Sequence, residues 1–300
     1  MTFCPATPAD AEAIAELIRA YDRAHGGETG TDADEVRDDW NAPGFDLARD
    51  TLTAEQEERL VGYGWVARRP PEGEVGLDVY LHPEVRDLSL GDELFRRAEE
   101  RALELGARLL VTGLLGEDAR GAALLRARGW TYARSLYRMA IDLDRPPPDP
   151  AWPDGIEARA FRPGDEAAFH AAVVEAFADD PTYEARPLEE WAAERIGRLT
   201  FDPGFWRLAL DGDGRPAGAA VGFAAGAGGF VELLGVVPAW RRRGLGLALL
   251  RESFEAFRAR GRRHVALHVD SDNPTGAPEL YARAGMRETH RIDRWERPAG

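Results

Sequence analysis

Residues 230–250 read Phe-Val-Glu-Leu-Leu-Gly-Val-Val-Pro-Ala-Trp-Arg-Arg-Arg-Gly-Leu-Gly-Leu-Ala-Leu-Leu, and three patterns follow one another within them. Val231, Leu233, Val236 and Val237 are apolar or β-branched and Pro238 closes the run, which predicts a strand. Leu245, Leu249 and Leu250, continued by Phe254, fall on one face of a helix. Between them lies a cationic, glycine-rich turn, Arg241-Arg242-Arg243-Gly244-Leu245-Gly246. Free N–H groups at a helix start bind anions, and glycines let a phosphate approach the backbone. The turn therefore reads as a pyrophosphate cradle.

Around this stretch, residues 216–240 carry a single charge, Glu232, and hydropathy alone would suit a membrane span. Their glycines, Pro216, Pro238 and that glutamate predict instead two buried strands joined by a turn at 226–229. The N-terminus has no basic region followed by an apolar core, so neither a signal peptide nor a membrane helix is expected.

The same pattern recurs earlier in the chain, about 155 residues upstream. Thr7-Pro8-Ala9-Asp10 matches Arg162-Pro163-Gly164-Asp165, and Val79-Tyr80-Leu81-His82-Pro83 matches Leu234-Gly235-Val236-Val237-Pro238. Arg86 and Gly91 match Arg241 and Gly246, while Leu124-Leu125 before Gly129 matches Leu280-Tyr281 before Gly285. A period this long predicts two related domains, 1–145 and 156–300, joined by a stiff proline-rich linker at 146–155. In the first half the patterns predict helices after Thr7 and at 31–40, 90–105 and 119–127. They also predict strands near 50–55, 59–68, 74–82 and 109–112, with two closing strands at 131–143. The second half repeats the order, with helices at 165–178, 187–197, 244–260 and 276–284. Its strands are expected at 156–161, 205–211, 216–224, 230–237 and 264–270, with more than one closing strand within 286–297. Each half is thus α+β, a mostly antiparallel sheet flanked by helices.

Composition narrows the chemistry. A chain with 44% apolar and 30% charged residues forms a globular core rather than a disordered tail. The net charge of −15 argues against a nucleic-acid or anionic-membrane binder and suits amine or cationic ligands. Cys4 is the only cysteine, which leaves no intrachain disulfide or cysteine zinc site and points to a cytoplasmic setting. All 38 basic residues are arginine, so a Walker A lysine, a Schiff-base lysine and lysine self-acylation are excluded. His264 and His268 have i, i+4 spacing on a predicted strand, without the glutamate of a zinc helix, and no metal is expected.

The cradle motif alone is common. A dinucleotide fingerprint would need a third glycine where Leu249 stands. What distinguishes this one is Leu234-x-Val236-x-Pro238 before it and Asn273…Leu280-Tyr281-x-x-x-Gly285-Met286 after it. Together these resemble the GNAT superfamily of acyl-CoA N-acyltransferases over nearly all of residues 156–297, and more loosely over 3–143. The tandem layout is similar to that of the mycothiol-synthase group.

The resemblance implies acetyl-CoA as cosubstrate and a set of roles. Backbone groups at Leu234, Gly235 and Val236 would hold the acyl carbonyl and pantetheine. Arg241 and the amides of Arg242, Arg243, Gly244, Leu245, Gly246 and Leu247 would hold the pyrophosphate. Tyr281 would be the general acid that protonates the departing thiolate, and Asn273 would bond the pantetheine or a water. Glu232, in period-2 phase with Leu234 and Val236, is the candidate base for the incoming amine, or else the partner of an arginine. Asp179 and Asp180 follow the helix that borders the acceptor pocket in the family, and could bind a cationic acceptor or be solvated helix-end charges.

The first half departs from the pattern. Leu125 replaces the tyrosine, Leu77 the strand glutamate and Ser89 the first cradle glycine, Glu117 falls near the asparagine position, and Asp87 puts negative charge at the cradle. The expected function is acetyl transfer from acetyl-CoA to a primary amine of a small molecule, catalysed by the C-terminal half. A narrower alternative is the mycothiol-synthase reaction on a cysteinyl amine of a glucosamine–inositol conjugate. An alternative of another class is a CoA-binding sensor or partner-binding module without turnover.

Overall fold

A computed structural model of the chain describes residues 1–27, 30–69, 71–85, 87–180, 183–273 and 275–300. It divides the chain into two compact units: Met1–Tyr137 with Asp270–Asp272 and Thr289–Gly300, and Arg138–Val269 with Asn273–Glu288. The elements in chain order are β1 (Thr2–Cys4), α1 (Ala11–Ala24), α2 (Ala33–Trp40), α3 (Leu47–Asp50), β2 (Thr51–Gln56) and β3 (Arg59–Arg69). There follow β4 (Glu74–Leu81), α4 (Leu88–Glu104), β5 (Leu109–Leu115), α5 (Ala119–Ala127) and β6 (Thr131–Asp142). The second half comprises β7 (Glu157–Ala160), α6 (Glu166–Ala176), α7 (Leu188–Ile196), β8 (Arg207–Leu210), β9 (Pro216–Ala225) and β10 (Gly228–Val236). It closes with α8 (Leu245–Ala259), β11 (His264–Asp270), α9 (Ala277–Arg283) and β12 (Arg287–Pro298).

In the first unit the strand order is β1-β2-β3-β4-β5-β12. Its first four strands are antiparallel, β4 and β5 run parallel, and β12 is antiparallel to β5. In the second unit the order is β6-β11-β10-β9-β8-β7, with β10 and β11 parallel and β7 to β10 antiparallel. The expected α+β architecture is therefore present in both.

Two details differ from the sequence pattern. Residues 131–143 and 286–297 each read as more than one strand, but each forms a single long one, β6 and β12. Neither contains a glycine, and proline stands only at the last position of β12, so nothing punctuates either run. The compact units also do not follow the halves of the sequence, since Thr289–Gly300 belongs to the first unit and Arg138–Leu143 to the second.

The reason for the first of these transfers is visible in β12. Trp295 is buried in the first unit's core with Val66, Leu77, Phe95, Leu110, Leu125 and Trp130. Its neighbours Arg294 and Arg297 reach the buried carboxylates of Glu74 at 2.7 Å and Glu99 at 3.1 Å. Arg294 is the cation that answers Glu74 in this apolar interior, and Arg297 joins Arg128, which already holds Glu99 at 2.5 Å. Among the described residues no helix is long and apolar enough to cross a membrane.

Trp295→Ala should destabilise the first unit by about 3–5 kcal/mol, the usual range for emptying a buried tryptophan site. Chemical denaturation followed by tryptophan fluorescence measures it; an unchanged midpoint would show that the C-terminal strand is not part of that core.

Candidate active site

The site is built from the ladder between β9 and β10. Val237 donates to the carbonyl of Ala217 at 3.0 Å, and the register runs Gly235 opposite Ala219 and Leu233 opposite Val221. Pairs alternate along an antiparallel ladder, so Leu234 and Val236 sit at the positions whose N–H and C=O groups point away from β9. On that far side lies β11, yet β10 pairs with β11 only at Gly229 and Phe230. Beyond Phe230 the two parallel strands part, leaving the N–H and C=O of Leu234 and the N–H of Val236 to face the gap.

The turn after β10 supplies a second set of donors. Arg242 (φ 61°) and Gly244 (φ 89°) adopt left-handed backbone, which curls successive N–H groups into a concave nest. The first amide to find a helical partner is that of Ala248, on the Gly244 carbonyl at 3.1 Å. Those of Arg242 to Leu247 have no acceptor among the described residues, as expected for a helix start. Gly246 lets this start approach its neighbours: a Cβ there would lie 3.0 Å from Leu280 Cδ1 and 3.5 Å from Val236 Cγ2. The cradle, the open end of β10 and the helix carrying Tyr281 thus converge at one end of α8.

The arginine triplet divides its labour. Arg241 grips Asp179 with two bonds of 2.5 and 2.9 Å, and also donates to the carbonyls of Ala176 (2.9 Å) and Val236 (3.2 Å). Its side chain ties the end of α6 to the end of β10, so it is not free for a phosphate, and the Val236 carbonyl is already occupied. The same bonds hold the Asp179 carboxyl below its ordinary range and take it away from an acceptor role. The Asp180 amide donates to the Phe177 carbonyl at 3.0 Å, and the Asp180 carbonyl accepts from the Tyr183 amide at 3.1 Å. Arg243 stacks over Trp240 at 4.9 Å, and Arg242 and Arg243 are both exposed beside the nest.

Glu232 sits where the ladder slips, between Val231 and Leu233. A bulge adds one residue and shifts the side-chain alternation, so the expected shared face is lost. Leu234 and Val236 pack with Leu245 and Leu249 of α8. Glu232 turns instead toward α7, where Arg195 meets one carboxylate oxygen at 3.0 Å and Arg198 the other at 3.3 Å. Arg195 lies 5.0 Å over the Trp191 ring, and burial pushes its guanidinium below the usual arginine range. Arg198 lies over Phe223, which packs on Phe230. Neither arginine stood out in the sequence. Arg195 lies on α7 and Arg198 just beyond its end, 34 and more residues from Glu232, and no local spacing links them.

Tyr281, on α9, is 9% exposed, and burial alone raises its phenol to about 12. Asn273 spends its side-chain oxygen on the amide (2.9 Å) and hydroxyl (2.6 Å) of Thr275, the turn-forming arrangement. His264 pairs with Asp142 and His268 packs against Phe230, and no metal-binding group of three or more such side chains occurs among the described residues.

The first unit repeats the geometry with its openings filled. β4 and β5 also pair only over Glu74–Gly76 and then part. The Asp78 carboxylate bridges the gap to Thr112 Oγ1 (3.3 Å) and the Gly113 amide (3.4 Å). At the start of α4 the Asp87 carboxylate accepts from the Ser89 amide (2.9 Å) and hydroxyl (2.7 Å). Leu77 and Leu125 are wholly buried. Arg86 lies outside the described residues.

Comparison with known proteins agrees with this geometry. The profile of the acetyltransferase (GNAT) family matches the chain twice, at residues 12–130 and 166–286. A protein of Thermobispora bispora named mycothiol acetyltransferase is 34% identical over 293 residues, 93% of each chain. The structure of a GCN5-related N-acetyltransferase from Sphaerobacter thermophilus superposes with TM-score 0.83 at 34% identity, covering 99% of this chain and 95% of that one. A tandem GNAT protein from the clavulanic acid pathway shares the fold, with TM-score 0.74 at 21% identity over 100% and 98% of the two chains.

Gly244→Ala should weaken coenzyme A binding about tenfold. Nothing lies within 4 Å of the added Cβ, so the effect isolates the left-handed backbone, which costs about 1–2 kcal/mol for a residue with a side chain. Titration calorimetry reads it, and unaltered affinity would remove the nest from the site.

Proposed function

The chain belongs to the acetyltransferase (GNAT) family, and from that premise we propose that its second unit transfers the acetyl group of acetyl-CoA to a primary amine of a small molecule by direct attack. The observation that carries the assignment to this unit is the convergence of open backbone groups on β10, the nest before α8 and the buried Tyr281. The first unit has the same strand divergence but answers it with its own Asp78 and Asp87 side chains, which supports a non-catalytic role.

In this reading the amides of Arg242 to Leu247 hold the pyrophosphate, with Arg242 and Arg243 adding charge at the rim. The N–H groups of Leu234 and Val236 face the opening and polarise the thioester carbonyl as negative charge develops on its oxygen. Glu232 takes the proton that the attacking amine must lose, directly or through a water. Tyr281 gives its phenolic proton to the departing sulfur. An acid acts only while protonated, and a phenol raised to about 12 stays protonated across the physiological range. Asn273, with its oxygen committed to Thr275, retains its amide N–H groups for the pantetheine or a water.

For the acceptor, the relative in Thermobispora bispora supports a narrower reading, the cysteinyl amine of a glucosamine–inositol conjugate, because the match spans nearly the whole of both chains. Labelled acetyl-CoA with a panel of that conjugate, glucosamine, cysteine methyl ester and spermidine tests it. Transfer to the conjugate well above the others supports it, and preference for another amine replaces it. The single cysteine supports a cytoplasmic site of action.

Tyr281→Phe should lower kcat about a hundredfold, the ordinary scale of a lost general acid, with KM for acetyl-CoA within about twofold. In the parent enzyme no alkaline loss of activity should arise from Tyr281 below about pH 11, since its raised phenol remains the proton donor there. Unchanged turnover in the phenylalanine variant would exclude Tyr281 as the acid.

A further inference from the structure

The two arginines on Glu232 ask for an account that stability does not give. Withdrawing a guanidinium and a carboxylate from water costs more than a modest ion pair returns, unless the geometry is used for something else. Arg195 is 14% exposed, its Nε is buried without a partner among the described residues, and burial depresses its guanidinium. It is nonetheless aimed at a bulged residue on the strand that opens the site. Arg198 reaches the second oxygen while its Nε donates to the Glu194 carbonyl at 2.9 Å, which fixes the guanidinium plane. A carboxylate has about four acceptor directions, and this pair fills one on each oxygen. The other two remain for a substrate.

We propose that Arg195 and Arg198 are positioning residues for the acetyl transfer: together they hold the bulged Glu232 carboxylate in one orientation, with its unused acceptor directions toward the incoming amine. This rests on the reading of Glu232 as the proton acceptor. The bulge supplies the direction, because without it Glu232 would share the face of Leu234 and Val236 and be covered by α8. The two arginines supply the rigidity, because a bulged residue is released from the regular ladder and would otherwise sample several rotamers. The trio is locally overcharged. Arg195, Arg198, Arg186 and Arg138 face this side of β10 against Glu232 and Glu194, with His268 and Tyr183 as further titratable neighbours.

Arg198 carries the test, because Arg195 packs on the core ring of Trp191 and its variants could fail to fold. The full-length protein is assayed as Arg198→Gln, Arg198→Lys, Glu232→Gln and the Arg198→Gln/Glu232→Gln double variant. Acetyl-CoA and the panel amine of highest turnover are the substrates, and thermal unfolding confirms that each variant is folded. Arg198→Gln should lower kcat about tenfold with KM for acetyl-CoA within about twofold, the scale of a misplaced group rather than a lost one. Arg198→Lys should recover most of that loss. The double variant should turn over like Glu232→Gln alone, since Arg198 acts only through that carboxylate. If Glu232→Gln is inactive but Arg198→Gln matches the parent, or the two losses multiply, the positioning role is overturned while the base stands. If Glu232→Gln keeps full turnover, the base reading falls and this inference with it.

Discussion

The second unit depends on one backbone constraint: a strand that loses its neighbour must find other partners for its N–H and C=O groups. β10 is paired on both sides at Gly229 and Phe230 and on one side only from there to Val236. Once shut off from water, each unanswered group would cost free energy on the scale of a lost hydrogen bond. In the proposed function this open edge receives a ligand with amide groups of its own, the pantetheine arm of coenzyme A. The nest at Arg242–Gly244 continues the same device past the end of the strand with further unpaired amides, which in the proposed function meet the anionic end of the same molecule.

The first unit shows what happens when such a constraint is met from within. Its strands part at the corresponding place, but Asp78 spans the gap and Asp87 caps the helix that would otherwise receive a phosphate. A carboxylate at a helix start is favourable on the same electrostatic grounds as a phosphate. Two segments matched by one family model thus differ less in fold than in whether a carboxylate of their own stands at the helix start.

Much of this was legible in the sequence. Pro238 and the cradle glycines punctuate residues 230–250 so strongly that strand, turn and helix fall where expected, and the Tyr281 helix follows from its apolar spacing. The losses have a common cause. The bulge at Glu232 carries no glycine or other local mark, so a plain period-2 reading put its side chain on the wrong face. Arg241 and Asp179 are 62 residues apart, and each looked available until the other was found on it. The tail of the chain was assigned to its own half because nothing in residues 287–298 says that Trp295 fills the core of the other unit.

That arginine is the sole basic side chain other than histidine sharpens the last point. A guanidinium offers a planar fork of five donors, so it serves as a clamp more readily than as a mobile point charge. In this chain it does so repeatedly: Arg241 ties α6 to β10, Arg195 and Arg198 grip Glu232, and Arg294 and Arg297 secure β12 to buried glutamates. An arginine run beside a glycine turn therefore signals less free positive charge than its count suggests. Once Arg241 is subtracted, the proposed function leaves the anion to backbone amides and long-range attraction to the exposed Arg242 and Arg243. In a protein of charge −15, a site built this way would select an anion by shape rather than by general positive charge.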